Sequence, residues 1–260
     1  MKENNWFDPF YIQSHLSEEE SNIQKNVRDF CNNELKPTVV ERNRKNEFDQ
    51  DLYPKFGSLG VLGQTVKTHG GSGTSNLAYG LVAYEFEKID SSYRSSISVQ
   101  SSLVIHPINE FGSQEQKDKY LPPLIKGEKI GCFGLTESEA GSDPASMKTS
   151  FKKTKDGYIL NGSKNWITNA PIADIFIIWA IEENKDHKNI KGFIIEKNTE
   201  GLNTSTIENK TSLKISPTGQ IILNNVFIPS NLCLENTEGW KSVFSCLNKA
   251  RFGISWGVLG

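Results

Sequence analysis

Two short stretches hold the residues with the most chemical promise. The first is Gly134-Leu135-Thr136-Glu137-Ser138-Glu139-Ala140-Gly141-Ser142-Asp143, a small, polar, glycine-bearing loop after an apolar run. The second is Asn161-Gly162-Ser163-Lys164-Asn165-Trp166-Ile167-Thr168-Asn169, a turn followed by an aromatic and a hydroxyl residue. Loop 136–142 offers hydroxyls, backbone N–H groups and, at Gly141, close approach. Trp166 offers a flat wall, and Thr168 a hydroxyl for a polar edge. A flat, phosphate-bearing cofactor needs that set of groups. Taken singly, such a loop is ordinary and such a tryptophan is core, so spacing alone leaves both readings open. No GxGxxG follows a strand pattern, so a Rossmann mode of dinucleotide binding is not supported.

Arg94 is the third candidate. It sits in a predicted helix otherwise made of small and apolar residues, with Ser98 four positions on and on the same face. A guanidinium buried among apolar neighbours needs an anion. Glu87 and Asp90 are the candidates within the chain, and a ligand carboxylate is the candidate outside it.

Composition narrows the function classes. The 260 residues suit one large domain or two to three small ones. Hydrophobic residues at 36% and charged ones at 23% fit a globular protein. A net charge of −2 gives no footprint for nucleic acid. The basic run Arg42-Asn43-Arg44-Lys45 is short and flanked by Glu41 and Glu47, so it reads as solvated surface. Cys31, Cys132, Cys233 and Cys246 are widely spaced, without CxxC pairs or histidines at metal spacing, which predicts reduced thiols and no zinc site. No apolar run reaches the roughly 18 residues that span a bilayer. The opening MKENNWFDPFY lacks the marks of a signal or transit peptide. With the Lys- and Asn-rich composition, that predicts a bacterial cytoplasm.

The elements that must position these residues change character midway. Residues 17–35 read as a helix with Ser17 as N-cap and Glu20 closing a capping box. Residues 51–62 read as a shorter helix ending at Gly63, 69–73 as a loop, and 76–89 as a helix. A small-residue helix follows from Ser91 or Ser92 to about His106, with Pro107 near its end. Residues 114–125 form a further helix, broken by Pro122-Pro123 and closed at Gly127. After Gly131 come short β-branched and aromatic runs separated by turn signals, among them 155–157, 184–189 and 217–219. They predict six to eight strands in a compact barrel or sandwich. From Trp240, helical spacing returns on Val243, Leu247, Ala250, Ile254 and Val258. This last helix either packs back on the first helices or meets a further helical domain.

The chain resembles the acyl-CoA dehydrogenase family along its whole length, most of all the glutaryl-CoA dehydrogenases. The resemblance rests on the two stretches above, on 6–20, on Leu59-Gly60-Val61-Leu62-Gly63 and on Tyr93-Arg94-Ser95-Ser96-Ile97-Ser98-Val99-Gln100-Ser101-Ser102-Leu103. It continues with Gly131-Cys132-Phe133 and with Ala250-Arg251-Phe252-Gly253-Ile254-Ser255-Trp256-Gly257-Val258-Leu259-Gly260. It implies an α+β protein: an N-terminal all-α domain at 1–130, a β-barrel domain at 131–235, and at 236–260 the first helix of an incomplete C-terminal four-helix domain. FAD is the implied cofactor. Phe133, Leu135, Thr136, Gly141 and Ser142 would line the flavin and pyrophosphate, and Trp166, Ile167 and Thr168 would meet the ring. Ser138 stands where the family usually has proline, which loosens a turn without removing a chemical group.

The same resemblance implies the substrate and reaction. Arg94 would receive the distal carboxylate of glutaryl-CoA, aided by Ser95 and Ser98, with Glu87 orienting Arg94. Ser142, Asn248 and Arg251 would contact the acyl-CoA. Proton abstraction α to the thioester and hydride transfer from the β carbon to the flavin would give glutaconyl-CoA, then crotonyl-CoA and CO₂. The family's base is a glutamate of the C-terminal helical domain. No residue here matches it, so the chain alone is expected to be inactive. An electron-transfer flavoprotein as acceptor, a homotetramer for complete members, and a place in lysine and tryptophan catabolism are also implied. The alternatives are a fragment or pseudoenzyme that binds FAD or acyl-CoA without catalysis, a short-chain acyl-CoA dehydrogenase and, more weakly, a flavin monooxygenase.

Overall fold

The computed structural model describes residue 8 and residues 11–183 and 189–260. Residues 6, 7, 9 and 10 of the matching stretch 6–20, and residues 184–188 of the predicted turn 184–189, lie outside the described residues.

Helix α1 (Glu18–Phe30) begins with the predicted capping box: the Glu20 amide donates to Ser17 Oγ at 3.2 Å, and the Ser17 amide donates to Glu20 Oε2 at 3.0 Å. It runs on through a π-helical turn, Cys31–Leu35, which keeps Val27, Cys31 and Leu35 in the core. Helix α2 (Val39–Lys45) was not expected, because it buries no residue and so leaves no apolar stripe to read. It carries the basic run 42–45, where Arg42 pairs with Asp49 and Lys45 with Glu41. Helices α3 (Leu52–Ser58) and α4 (Asn76–Glu87) follow, α4 capped by Ser75.

Two helix-ending expectations are corrected. Helix α5 (Ser91–Ser98) continues through π-helical turns (Val99–Ile105) into α6 (His106–Phe111), so Pro107 lies inside one helical run rather than near its end. Helix α7 (Gln114–Ile125) carries Pro122 and Pro123 inside it without breaking. Burial of Tyr120, Leu121, Leu124 and Ile125 outweighs the two backbone bonds that the prolines cannot make.

Among the described residues seven strands form one mixed sheet: β1 (Gly131–Gly134), β2 (Ser150–Lys153), β3 (Gly157–Thr168), β4 (Ile175–Glu182), β5 (Ile190–Glu196), β6 (Leu202–Thr206) and β7 (Thr218–Pro229). β1 and β2 lie one after the other, both parallel, along one edge of β4, and β5 runs antiparallel along the other edge. The ladder then continues β2-β3-β7-β6, all antiparallel. The sheet curls around a core of its own. Its strand ladder does not close between β5 and β6 among the described residues. β4 explains the continuous apolar run in the sequence, because it is buried on both faces. Ile175, Ile177, Trp179 and Ile181 enter the core shared with the helices, and Phe176, Ile178 and Ala180 enter the sheet's inner core.

Helix α8 (Trp240–Gly257) packs back on α4, as one of the two readings had it. Small residues permit the contact: a Cβ at Gly80 would lie 2.5 Å from the Trp256 indole, and one at Gly253 would lie 2.6 Å from the Tyr79 hydroxyl. Phe252 stacks on Tyr79 with ring centroids 6.2 Å apart. The other face of α8 is exposed at Phe244 and Ile254, followed by exposed Val258 and Leu259. All four cysteines are free and buried, and burial pushes the Cys31 and Cys246 thiols up to about 12. No described helix is long and apolar enough to cross a membrane.

Candidate functional site

The two stretches singled out in the sequence meet in space. Between Lys164 and Ile167 the pairing of β3 with β7 slips, and this bulge turns Asn165 and Trp166 outward. Trp166 takes a left-handed φ of 59°, and the residue is 59% exposed. Its amide is held by Asn165 Oδ1 at 3.0 Å. Asn165 joins the bulge to the loop: its amide donates to the Thr136 carbonyl at 2.9 Å, and its Nδ2 donates to Ser138 Oγ at 3.3 Å. An exposed tryptophan fixed beside an open polar loop is the geometry that a flat ligand requires.

The other predicted residues divide by accessibility. Gly141 and Ser142 are exposed, and Thr136 and Thr168 are half-buried. A Cβ at Gly141 would meet nothing within 4 Å, so no contact inside the chain demands glycine there and the space beside it is open. Phe133, Leu135 and Ile167 point into the cores.

Beneath the loop lies a buried pair that sequence reasoning missed. Lys164 is 0% exposed, and its ammonium donates to the Leu135 carbonyl at 3.0 Å and to Glu137 Oε1 at 2.9 Å. Glu137 accepts in addition the amides of Lys148 at 2.7 Å and Thr149 at 2.9 Å. Burial pulls the Lys164 amine down to about 8 against the upward pull of Glu137. Burial alone would raise the Glu137 carboxyl, but Lys164 and the loop N–H donors outweigh it and hold it below the usual carboxylate range. The signal was present in the strand pattern: Lys164 is four residues after buried Leu160 and so falls on the inward face.

Arg94 lies on α5 with its side chain 13% exposed, facing Glu87 on α4, which is 15% exposed. Its Nε donates to Glu87 Oε2 at 2.5 Å, and the Ser91 hydroxyl donates to the same carboxylate. No partner for the two terminal nitrogens of Arg94 is found among the described residues. Asp90, the other in-chain candidate, instead caps α5 by accepting the Ser92 amide at 2.7 Å. Tyr79, Val82, Ala83, Phe86, Ile97 and Ser98 crowd the crevice around Arg94, leaving no space for a water. Gly257 of α8 closes over the pair, where a Cβ would lie 2.7 Å from Glu87 Oε2 and 3.2 Å from Arg94 Nε. Ser98 Oγ is 3.3 Å from the Tyr79 hydroxyl, and Ser95 is half-buried.

Further along α8, Arg251 and Asn248 are exposed and bonded to each other at 3.0 Å. Asn248 lines an open groove of about 610 Å³ with His106, Lys249 and Phe252. His106 contacts Ser245 Oγ at 3.1 Å, and burial holds its ring below the ordinary histidine value. Hydrogen bonds tie the helical run that carries Arg94 to the start of β1, which leads into loop 134–143. Gln100 accepts the Gly131 amide at 2.8 Å and donates to the carbonyls of Leu124 and Lys129. Asn169 Nδ2 donates to Tyr53 Oη at 2.8 Å and to the Gly131 carbonyl at 3.1 Å.

Fold and site together define an α+β scaffold in which a polar loop at a strand end lies beside an outward tryptophan, and a neighbouring helix carries a guarded cation. The sequence matches the Acyl-CoA dehydrogenase N-terminal domain over residues 17–128 and the Acyl-CoA dehydrogenase middle domain over residues 132–226. The chain belongs to the acyl-CoA dehydrogenase family. A glutaryl-CoA dehydrogenase from Mycobacterium smegmatis, solved in complex with FADH2, superposes with a TM-score of 0.92 at 41% identity, covering 95% of this chain and 63% of that one. Butyryl-CoA dehydrogenase from Megasphaera elsdenii gives a TM-score of 0.87 at 35% identity, with 93% and 65% covered. A short-chain-specific acyl-CoA dehydrogenase of Clostridium acetobutylicum is 35% identical over 249 residues, 95% of this chain and 66% of the relative. The chain thus spans slightly less than two thirds of these relatives.

Proposed function

We propose that the chain is the FAD- and acyl-CoA-binding part of a glutaryl-CoA dehydrogenase that converts glutaryl-CoA to crotonyl-CoA and CO₂, within lysine and tryptophan breakdown. The observation that carries the substrate is Arg94: an almost buried cation, anchored through Nε alone, with its terminal nitrogens left for a second anion. FAD fits the loop because the open space at Gly141, the Ser142 and Thr136 hydroxyls and the outward Trp166 face supply room, donors and a wall together. When bound, FAD supplies the two-electron acceptor for the oxidation.

The chain's own residues do the rest. Arg94 binds the distal carboxylate of the substrate through its terminal nitrogens, a charge-assisted fork. Glu87 holds the opposite edge and keeps the pair neutral before the acid arrives and after CO₂ leaves, so neither state strands a buried charge. Ser98 and Ser95 lend hydroxyls, and Asn248 and Arg251 line the path of the thioester arm. Because the crevice has no room for a water in this structure, a carboxylate seats there as its lining side chains, Tyr79 and Phe86 among them, shift. Glu137 is committed to Lys164, and Glu85 to Arg28 and Lys88. In this reading neither supplies the α-proton base, which is instead a glutamate of the further helical bundle. In this reading residues 1–130 form the helical part, 131–235 the sheet part and 236–260 the first helix of a further bundle, with a homotetramer and an electron-transfer flavoprotein as assembly and acceptor.

A second reading, a short-chain acyl-CoA dehydrogenase, is favoured by the same full crevice, since a self-sufficient Arg94–Glu87 pair needs no ligand. The test is to titrate the chain with FAD and add glutaryl-CoA without oxygen. A shift of the flavin absorption without bleaching is expected. Bleaching would overturn the placement of the base, and a chain that takes up no FAD would overturn the reading as a whole.

A further inference from the structure

The pair beneath the loop is more than a piece of core. Lys164 is fully buried on β3, opposite Ile221 in the ladder, where an aliphatic side chain would satisfy the sheet. A buried ion pair gives little stability over well-packed apolar residues, so stability alone does not explain it. What the pair adds is direction. Through the Lys164 ammonium it grips the loop's first end at the Leu135 carbonyl and Glu137. Through the Glu137 carboxylate it grips the loop's far end at the amides of Lys148 and Thr149. Four charge-assisted bonds thus gather both ends of one loop onto one strand. Two residues further along that strand is Trp166, whose bulge is itself bonded to the loop through Asn165 and Thr136. The Met147 sulfur, 3.8 Å from the ammonium, closes the cluster, so loop residues from both ends face the same nitrogen.

We propose that Lys164 and Glu137 are a positioning pair that sets the shape of loop 135–149 and of the Trp166 bulge, and through them the affinity of the chain for FAD. The occupant rests on the FAD reading above; the clamp itself does not. Neither residue touches the cofactor: both act through the loop backbone. The low value to which burial brings the Lys164 amine agrees with a site enclosed by the loop and the strand rather than one open to water.

The test compares Lys164→Met, Glu137→Gln and the double variant K164M/E137Q, reading FAD affinity by flavin fluorescence, loop mobility by amide hydrogen exchange, and melting temperature. The double variant decides, because it removes both charges together and leaves no unpaired ion to unfold the chain. Each variant is expected to weaken FAD binding by about tenfold or more, the scale of losing charge-assisted loop bonds. Exchange should quicken across 136–149 while β4 and β5 stay protected, and the double variant should melt close to the parent. A double variant that binds FAD as the parent does, with unchanged loop exchange, overturns the proposal. If the parent itself takes up no FAD, the cofactor reading fails. The clamp is then judged by exchange alone: quickened loop exchange in the double variant supports it, and unchanged exchange refutes it.

Discussion

Replacing Gly80 by alanine tests the seat of α8 through the sign of its effect. In an isolated helix interior the change gains about 0.5–1 kcal/mol, because alanine loses less backbone entropy. In this chain the new methyl would lie 2.5 Å from three atoms of the Trp256 indole. That is about 1 Å inside carbon–carbon contact distance, and the ring cannot fold out of the way as a flexible chain end would. Overpacking of this kind costs about 1–3 kcal/mol, which leaves a net loss of about 0–2.5 kcal/mol after the helix gain is subtracted. Urea denaturation of the parent, Gly80→Ala and the double variant G80A/W256L supplies the comparison. The double variant should recover much of the single-variant loss, because leucine vacates the space that the indole filled. A Gly80→Ala chain that is more stable than the parent would mean that α8 does not rest on α4. The closure of Gly257 over Arg94 would then fall with it.

Two further outcomes follow from the site's surroundings. Burial holds the His106 ring below its ordinary value, so the unfolded chain binds the proton first as pH falls through about 6.5. The contribution of neutral His106 to stability is therefore full above that value and lost on acidification toward the lower folded pKa. His106→Gln should flatten this part of the stability–pH curve, and an unchanged curve would refute the role. Asn169→Ala removes two hydrogen bonds that tie the strand end to Tyr53 and Gly131 and strands their buried partners. A loss of about 2–3 kcal/mol is expected in urea denaturation; a loss under about 0.5 kcal/mol, the range of a surface substitution, would show that this tie is idle.

Local chemistry was legible in the sequence where it is self-contained. The capping box of Ser17 and Glu20 forms as read, because both partners lie within one turn. Stretches 134–143 and 161–169 stood out by residue type, and they meet in space through Asn165; Arg94 stood out by its apolar setting. Sequence alone left its partner between Glu87 and Asp90, because either lies within reach. Structure separates them: Asp90 is spent on a helix cap. Other features depend on contacts distant in the chain. The prolines of α7 fail as helix breakers because the core holds that segment from outside. The outward turn of Trp166 depends on a register slip against β7, more than 50 residues away. The Lys164–Glu137 pair was overlooked because an acid and a lysine 27 positions apart look like two surface charges until the strand folds beneath the loop.

The most direct test of the substrate assignment is the affinity of the FAD-loaded chain for glutaryl-CoA and for butyryl-CoA, measured for the parent and for Arg94→Gln. Losing the fork to the distal carboxylate should weaken glutaryl-CoA binding by about 100-fold, near 3 kcal/mol, while butyryl-CoA changes by less than about threefold. Equal losses for the two ligands, or none for either, would contradict the assignment and leave Arg94 and Glu87 as a structural ion pair between α4 and α5.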